Sequence, residues 1–139
     1  MDLERALAFA AEHSKGVLVT LRSDGRAQSS NIVYVMDGAV ARVSITDDRA
    51  KTRNMRRDPR VVLHVNSDDF WSYVALDGTA ELSPVAKTPG DDVCRELAEV
   101  YEKAAGKPHP NWDEYFAAMI EDKRLVLRFT ATSAAGMTR

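Results

Sequence analysis

At 139 residues and a formal net charge of −2, the chain is sized for a single domain, 1–139, with a core of its own. Its 45% hydrophobic and 29% charged residues suit a globular chain, with no basic excess to track a nucleic acid and no apolar run of membrane-spanning length. Cys94 is the only cysteine, which excludes an intrachain disulfide and a thiolate metal site, and Met1-Asp2-Leu3-Glu4-Arg5 lacks a leader pattern, so a cytoplasmic location is expected.

Leu3, Ala6, Leu7 and Ala10 recur at helical spacing and predict a short opening helix. Gly16 to Leu21 reads as a strand, and Ser23-Asp24-Gly25 as a turn. A second strand runs from about Arg26 to Met36 and ends at Asp37-Gly38, a hairpin dipeptide. The third, Ala39 to Thr46, leads into a basic helix that Asp58-Pro59 stops, because proline disfavours helical geometry in the residue before it. Arg60 to Asn66 is a fourth strand. Trp71 to Leu82 is a long fifth one, with a bend or bulge at Asp77-Gly78. Ser83 to Gly90 is a connector. Asp91 to Ala105 carries Val93, Leu97, Val100 and Tyr101 at helical spacing and takes in Cys94 as a small buried hydrophobe. After a loop at Gly106 to Pro110, Asn111 and Glu114 resemble a capping box that opens a helix through Ile120. Leu125 to Thr130 is the sixth strand, and Ala134 to Arg139 reads as a loose tail. Six antiparallel strands with helices inserted at two places make an α+β, barrel-like fold, since the strand–helix alternation of a doubly wound sheet is absent.

The chemistry concentrates in one segment. Arg49, Lys51, Arg53, Arg56, Arg57 and Arg60 place six of the chain's 19 Lys and Arg residues within 49–60. So local a cationic patch on a slightly acidic chain points to one compact anion. A strand feeding a helix start also presents free N–H groups and the positive end of a dipole, which suit phosphate. Arg49 and Lys51 sit at that start. On an ideal helix Arg49, Arg53, Arg56 and Arg60 fall near one face while Lys51 points elsewhere, so the later arginines also read as a solvated or salt-bridged stripe. On strand two, Gln28 and Ser30 share one face, and Ser29 and Asn31 the other. These residues suit the hydrogen-bonding edge of a heterocycle or, equally, an exposed sheet edge. Trp71 is either core or the lid of a site. His13, His64 and His109 show no ligand spacing, so no metal site is expected, and no acid–base pair or nucleophile motif stands out. An anion site without catalytic side chains fits a cofactor that brings its own reactivity.

The segment Arg49-Ala50-Lys51-Thr52-Arg53-Asn54-Met55-Arg56-Arg57-Asp58-Pro59-Arg60 resembles the phosphate-binding segment of flavin and deazaflavin oxidoreductases related to pyridoxamine 5′-phosphate oxidase. The resemblance runs in order through Gly16-Val17-Leu18-Val19-Thr20-Leu21, Gln28-Ser29-Ser30-Asn31, Asp69-Phe70-Trp71-Ser72-Tyr73 and Asn111-Trp112-Asp113-Glu114-Tyr115, roughly Leu3 to Thr130. It is strongest to the actinobacterial subgroup that uses coenzyme F420. It implies a six-stranded, Greek-key-like split β-barrel and a homodimer with two interface sites. In that analogy Arg49 and Lys51, flanking Ala50, hold the cofactor phosphate. Gln28, Ser30 and Asn31 lie along the ring, Ser44, Ile45 and Thr46 form the floor, and the partner supplies Trp71.

Two departures shape the expected activity. FMN-using oxidases usually carry arginine where this chain has Ala50, and the basic C-terminal strand of the true oxidases is replaced by Thr132-Ser133-Ala134-Ala135-Gly136. The resemblance therefore implies a coenzyme F420-dependent reductase passing a hydride to a small electron-poor substrate, with no catalytic side chain assigned, although Tyr34 and Tyr73 stand as proton sources beside solvent. The lactyl-oligoglutamate tail of that cofactor would follow Arg53, Arg56 and Arg57. An FMN-binding oxidoreductase and a non-catalytic flavin or F420 carrier are the alternatives. No nucleic-acid or membrane partner is expected.

Overall fold

In the computed structural model, which describes Met1–Arg139, alternating side chains give each strand one core-facing side. The strands are β1 (Lys15–Leu21), β2 (Ala27–Val33), β3 (Val35–Asp37), β4 (Val40–Thr46), β5 (Arg60–Asn66), β6 (Tyr73–Leu82) and β7 (Arg124–Met137). The helices are α1 (Leu3–Ala11), α2 (Ala50–Arg57), α3 (Asp92–Ala105) and α4 (Trp112–Glu121). The strands form one antiparallel sheet in the order β2-β1-β5-β6-β7-β4-β3.

That order dictates the shape. β2 and β3 lie at opposite edges of the sheet, yet only Tyr34 separates them along the chain. The sheet must therefore curl until its edges meet at Tyr34. β3 closes that end by pairing with β4, Val35 opposite Arg42 and Asp37 opposite Val40. Beyond it, Val43–Thr46 of β4 and the whole of β2 face each other unpaired. This seam is the split of a split β-barrel. Tyr34 is buried, its hydroxyl donates to the Ala10 carbonyl at 2.7 Å, and burial pushes its pKa far above the ordinary phenol range. The bond ties α1 under the closed end. Leu18, Leu63, Leu76, Leu127 and Phe129 fill the barrel. A smaller core of Val93, Cys94, Leu97, Tyr115 and Val126 fastens α3 and α4 to its outside, with Cys94 buried as expected.

The α+β split barrel matches the sequence reading, with four corrections. The second strand breaks at Tyr34, which makes seven strands instead of six. The fifth begins at Tyr73, so Trp71 belongs to the preceding turn. Residues 134–137, expected to be loose, pair with β6 as Ala134↔Leu76 to Met137↔Tyr73. Small, weakly apolar residues hide that strand from a hydropathy pattern. They are needed there, because a Cβ on Gly136, whose φ is 149°, would lie 2.3 Å from the Tyr73 carbonyl oxygen. Arg60 starts β5, off the arginine face of the helix. The open choice at Asp77-Gly78 resolves as a bulge, with a register shift between those residues. No helix is long and apolar enough to cross a membrane.

Candidate anion and cofactor site

α2 starts where β4 ends, at the open end of the seam. Arg49 is its N-cap with extended backbone and no side-chain cap, so the first turn keeps N–H groups available. The Thr52 hydroxyl donates to the Thr46 carbonyl at 2.7 Å and fixes helix to strand. Asn54 docks the other side: its amide donates to Thr20 Oγ1 at 3.1 Å and to Gln28 Oε1 at 3.0 Å, and its carbonyl accepts from Arg57. Met55 enters the core, and Asp58, in extended geometry before Pro59, ends the helix.

This docking aims the start of α2 into two adjoining cavities. One, of about 700 Å³, is polar and lined by Ser44, Ile45, Thr46, Arg49, Lys51 and Arg124 among others. The second, of about 400 Å³, follows the seam past Asn31 and Val43 and has an apolar wall that includes Tyr101, Tyr115 and Met119. Ser44, Lys51 and Arg124 line both. Burial lowers the pKa of Lys51, and the cations of Arg49 and Arg124 lower it further. Ion pairs join neither Arg49 nor Lys51 to a carboxylate, and the nearest acid to Arg124 is Asp122, 3.9 Å from Nε. Asp48, Glu121 and Asp122 line the polar cavity too, but neither Arg49 nor Lys51 is paired with them, and these two cations and the loosely held Arg124 form a site that fits a phosphate. Because Lys51 gives up its proton below the usual lysine range, inorganic phosphate affinity is expected to fall earlier, as pH rises, than an ordinary lysine would dictate. Titrations between about pH 7 and 11 check this, with Lys51→Arg carrying the fall to higher pH.

The later arginines are committed elsewhere. Arg53 donates to the Asp48 carbonyl at 2.8 Å, Arg56 pairs with Asp47, and Arg57 donates to the Leu21 carbonyl at 2.6 Å. Arg60 grips Asp58 with Nε and Nη2 at 3.0 and 2.7 Å, which holds that carboxyl at about 2. Arg56 and Arg60 are thus offset by carboxylates, whereas Arg53 and Arg57 are positioned by carbonyls and keep their charge.

Of the strand-two residues, Asn31 lines the seam cavity, while Gln28 and Ser30 share the inward face with Ile32. Gln28 is bound to Asn54, and the buried Ser30 hydroxyl has no partner. Ala50, half-buried in the first turn, has only a methyl side chain beside the lysine. Trp71 is 61% exposed in the turn after Asn66, next to Phe70 at φ 73°, so it is not core. Strand register puts Asn66, Tyr73 and Met137 at one end of the sheet and Thr46 and Arg124 at the other. Trp71 lines neither cavity. Tyr73 stacks on His64 and Tyr34 is bonded to α1, and neither lines the cavities either. The tyrosines that line the seam are Tyr101 and Tyr115. Tyr115 donates to the Leu97 carbonyl at 2.9 Å and is pushed up to about 12 by burial.

Sequence reasoning missed Arg124, Tyr101 and Tyr115 as site residues. Their place depends on β7 pairing with β4 and on α3 and α4 folding over the seam, and neither leaves a local signal.

Comparison with known proteins follows the same outline. The family described as pyridoxamine 5′-phosphate oxidase matches residues 3–137. A conserved hypothetical protein from Mycobacterium tuberculosis is 24% identical with a TM-score of 0.75, over 98% of this chain and 84% of that one. An F420 reductase is 24% identical with a TM-score of 0.61, over 88% and 89%. A FAD-binding protein from Mesorhizobium loti is 16% identical with a TM-score of 0.69, over 98% and 92%. At these identities the structural likeness is one of fold. The family match runs from the first residue of α1 to the last of β7, and the chain belongs to the pyridoxamine 5′-phosphate oxidase family.

Proposed function

We propose that the chain is an oxidoreductase that binds coenzyme F420 and acts as a reductase on a small electron-poor organic molecule. The observation that carries this is the uncompensated pair Arg49 and Lys51 at the start of α2, opening on a cavity that continues along the seam. In this reading they hold the cofactor phosphate, Asn31 and Ser44 flank the ring, and Ile45 and Thr46 support the chain between. Ala50, where FMN-using relatives usually carry arginine, and the F420 reductase among the structural neighbours support the deazaflavin. When bound, such a cofactor supplies hydride transfer at its central ring carbon. The protein contributes orientation and exclusion of water, for which Val43, Tyr101, Tyr115 and Met119 offer an apolar wall. Oxidation of pyridoxamine 5′-phosphate is not proposed, because residues 132–136 lack basic side chains.

FMN is the second reading, favoured by the crowding of Arg49, Lys51 and Arg124, since a phosphate monoester brings two charges where a diester brings one. Visible absorbance and titration of the purified protein with FMN and with coenzyme F420, at low and high salt, separate the readings. F420 is expected to bind more tightly, with an advantage that shrinks as salt screens its tail. With Arg56 paired to Asp47, Lys123 at the cavity rim and the charges of Arg53 and Arg57, which no ion pair joins to a carboxylate, are the cations left for that tail. FMN binding as tightly under all conditions would overturn the deazaflavin, and binding of either without turnover of any acceptor would leave a carrier.

The protein is also expected to be a homodimer. Trp71 lines neither cavity of its own chain, and in this reading it closes the cavity of a second copy. Phe70, Trp71 and Met137 are exposed apolar side chains of the kind an interface would cover. Sedimentation at micromolar concentration checks this, and a stable monomer that binds cofactor would defeat it.

A further inference from the structure

We propose that Arg124 is a third ligand of the anion held by Arg49 and Lys51. The inference rests on the reading of this cavity as a phosphate site. Arg124 is the first residue of β7 and lies directly opposite Thr46, the residue that anchors the first turn of α2. The β4–β7 ladder fixes its backbone against the strand that feeds the helix. Its guanidinium is barely used by the fold. Nη1 donates to the Ser44 carbonyl at a long 3.3 Å, the buried Nε has no hydrogen-bond partner, and the closest carboxylate, Asp122, is 3.9 Å away. A planar fork with open donors, close enough to depress Lys51, is suited to bidentate recognition of phosphate or carboxylate.

The charges of the lining are mixed. Arg49, Lys51, Lys123 and Arg124 face the polar cavity, and Asp48, Glu121 and Asp122 line it too. Of these, Arg49 and Arg124 each lie close enough to act on Lys51, so the three side chains face one part of the cavity. An anion seated there, a phosphate monoester as in FMN or a phosphodiester as in coenzyme F420, meets all three. Because Arg124 also lines the apolar cavity, it stands where an anionic group would join a ring.

Calorimetric titration of the wild type, Arg124→Gln and Arg124→Lys with inorganic phosphate, FMN, coenzyme F420 and riboflavin tests this, together with an NMR pH titration of the Lys51 side chain. Arg124→Gln is expected to raise the Lys51 pKa, weaken FMN and F420 about tenfold or more, and leave riboflavin unchanged. Arg124→Lys keeps the charge without the fork, so its loss is smaller but present. It serves alone if the glutamine variant fails to fold. Unchanged affinity for the anionic ligands in a folded variant, or an unmoved Lys51 titration in Arg124→Gln, would overturn the assignment. If neither cofactor binds the wild type, the proposed function fails, while phosphate loss and the Lys51 shift still decide the role of Arg124.

Discussion

Lys51→Ala is expected to weaken binding of the phosphate-bearing cofactor about tenfold or more, whereas Arg60→Ala leaves it nearly unchanged. A charge-assisted phosphate contact contributes roughly 1.5–3 kcal/mol, and Lys51 has no competing ion pair to satisfy it. Arg60 is beyond Pro59 in β5, with its guanidinium spent on Asp58. The apo proteins separate binding from folding. Without ligand, Lys51 is a partly buried cation beside two others, so its removal relieves repulsion and the apo melting temperature should hold or rise. The ligand-induced rise in melting temperature should shrink at the same time, because that rise tracks affinity. Equal losses for the two variants would describe a diffuse electrostatic patch, and a fall in apo stability for Lys51→Ala would make the lysine structural.

The local parts of this site were legible in the sequence, and the parts made by distant pairing were not. Arg49 and Lys51 were readable because strand, helix start and charge density occur within one segment, where spacing alone says which side chains share a turn. Gln28 and Ser30 facing away from Ser29 and Asn31 followed from the two-residue period and holds in the burial pattern. What the period could not reveal is that Asn54 binds Gln28, turning a candidate ligand into a docking residue for α2. The arginine row on an idealised helix left its role open for a related reason. Three of its members and Arg57 are bonded to Asp47, Asp58 and main-chain carbonyls, partners that the sequence does not bring into view. Tyr34 looks like any strand residue, yet it is the hinge through which one chain reaches both edges of the sheet. Its role appears only once β2 and β3 are known to be those edges.

Gly78→Ala is expected to cost about 3 kcal/mol of stability, at the upper end for an added methyl group in a packed interior. A Cβ on Gly78 would lie 2.1 Å from the Thr130 carbonyl oxygen and 2.7 and 2.8 Å from two ring carbons of Phe129. Neither neighbour can yield cheaply. The carbonyl belongs to the backbone of β7, and Phe129 is among the largest fully buried side chains of the barrel. The glycine serves the bulge, where pairing jumps from Asp77↔Ser133 to Gly78↔Ala131 and Thr132 is left over on β7. The Thr132 and Ser133 hydroxyls donate to the Asp77 carbonyl and carboxylate, which holds the extra residue in place. Such a bulge bends β7 and sharpens its twist, which is how the strand can follow both β6 and β4 around the curl. Gly90→Ala is the contrast: it meets nothing within 4 Å and bears only the cost of a φ of 75°, about 1–2 kcal/mol. Thermal or denaturant unfolding of both variants checks the ranking. A Gly78→Ala protein no less stable than Gly90→Ala would mean that β7 can shift away from β6, and that the bulge does not fix the curl on which the seam depends.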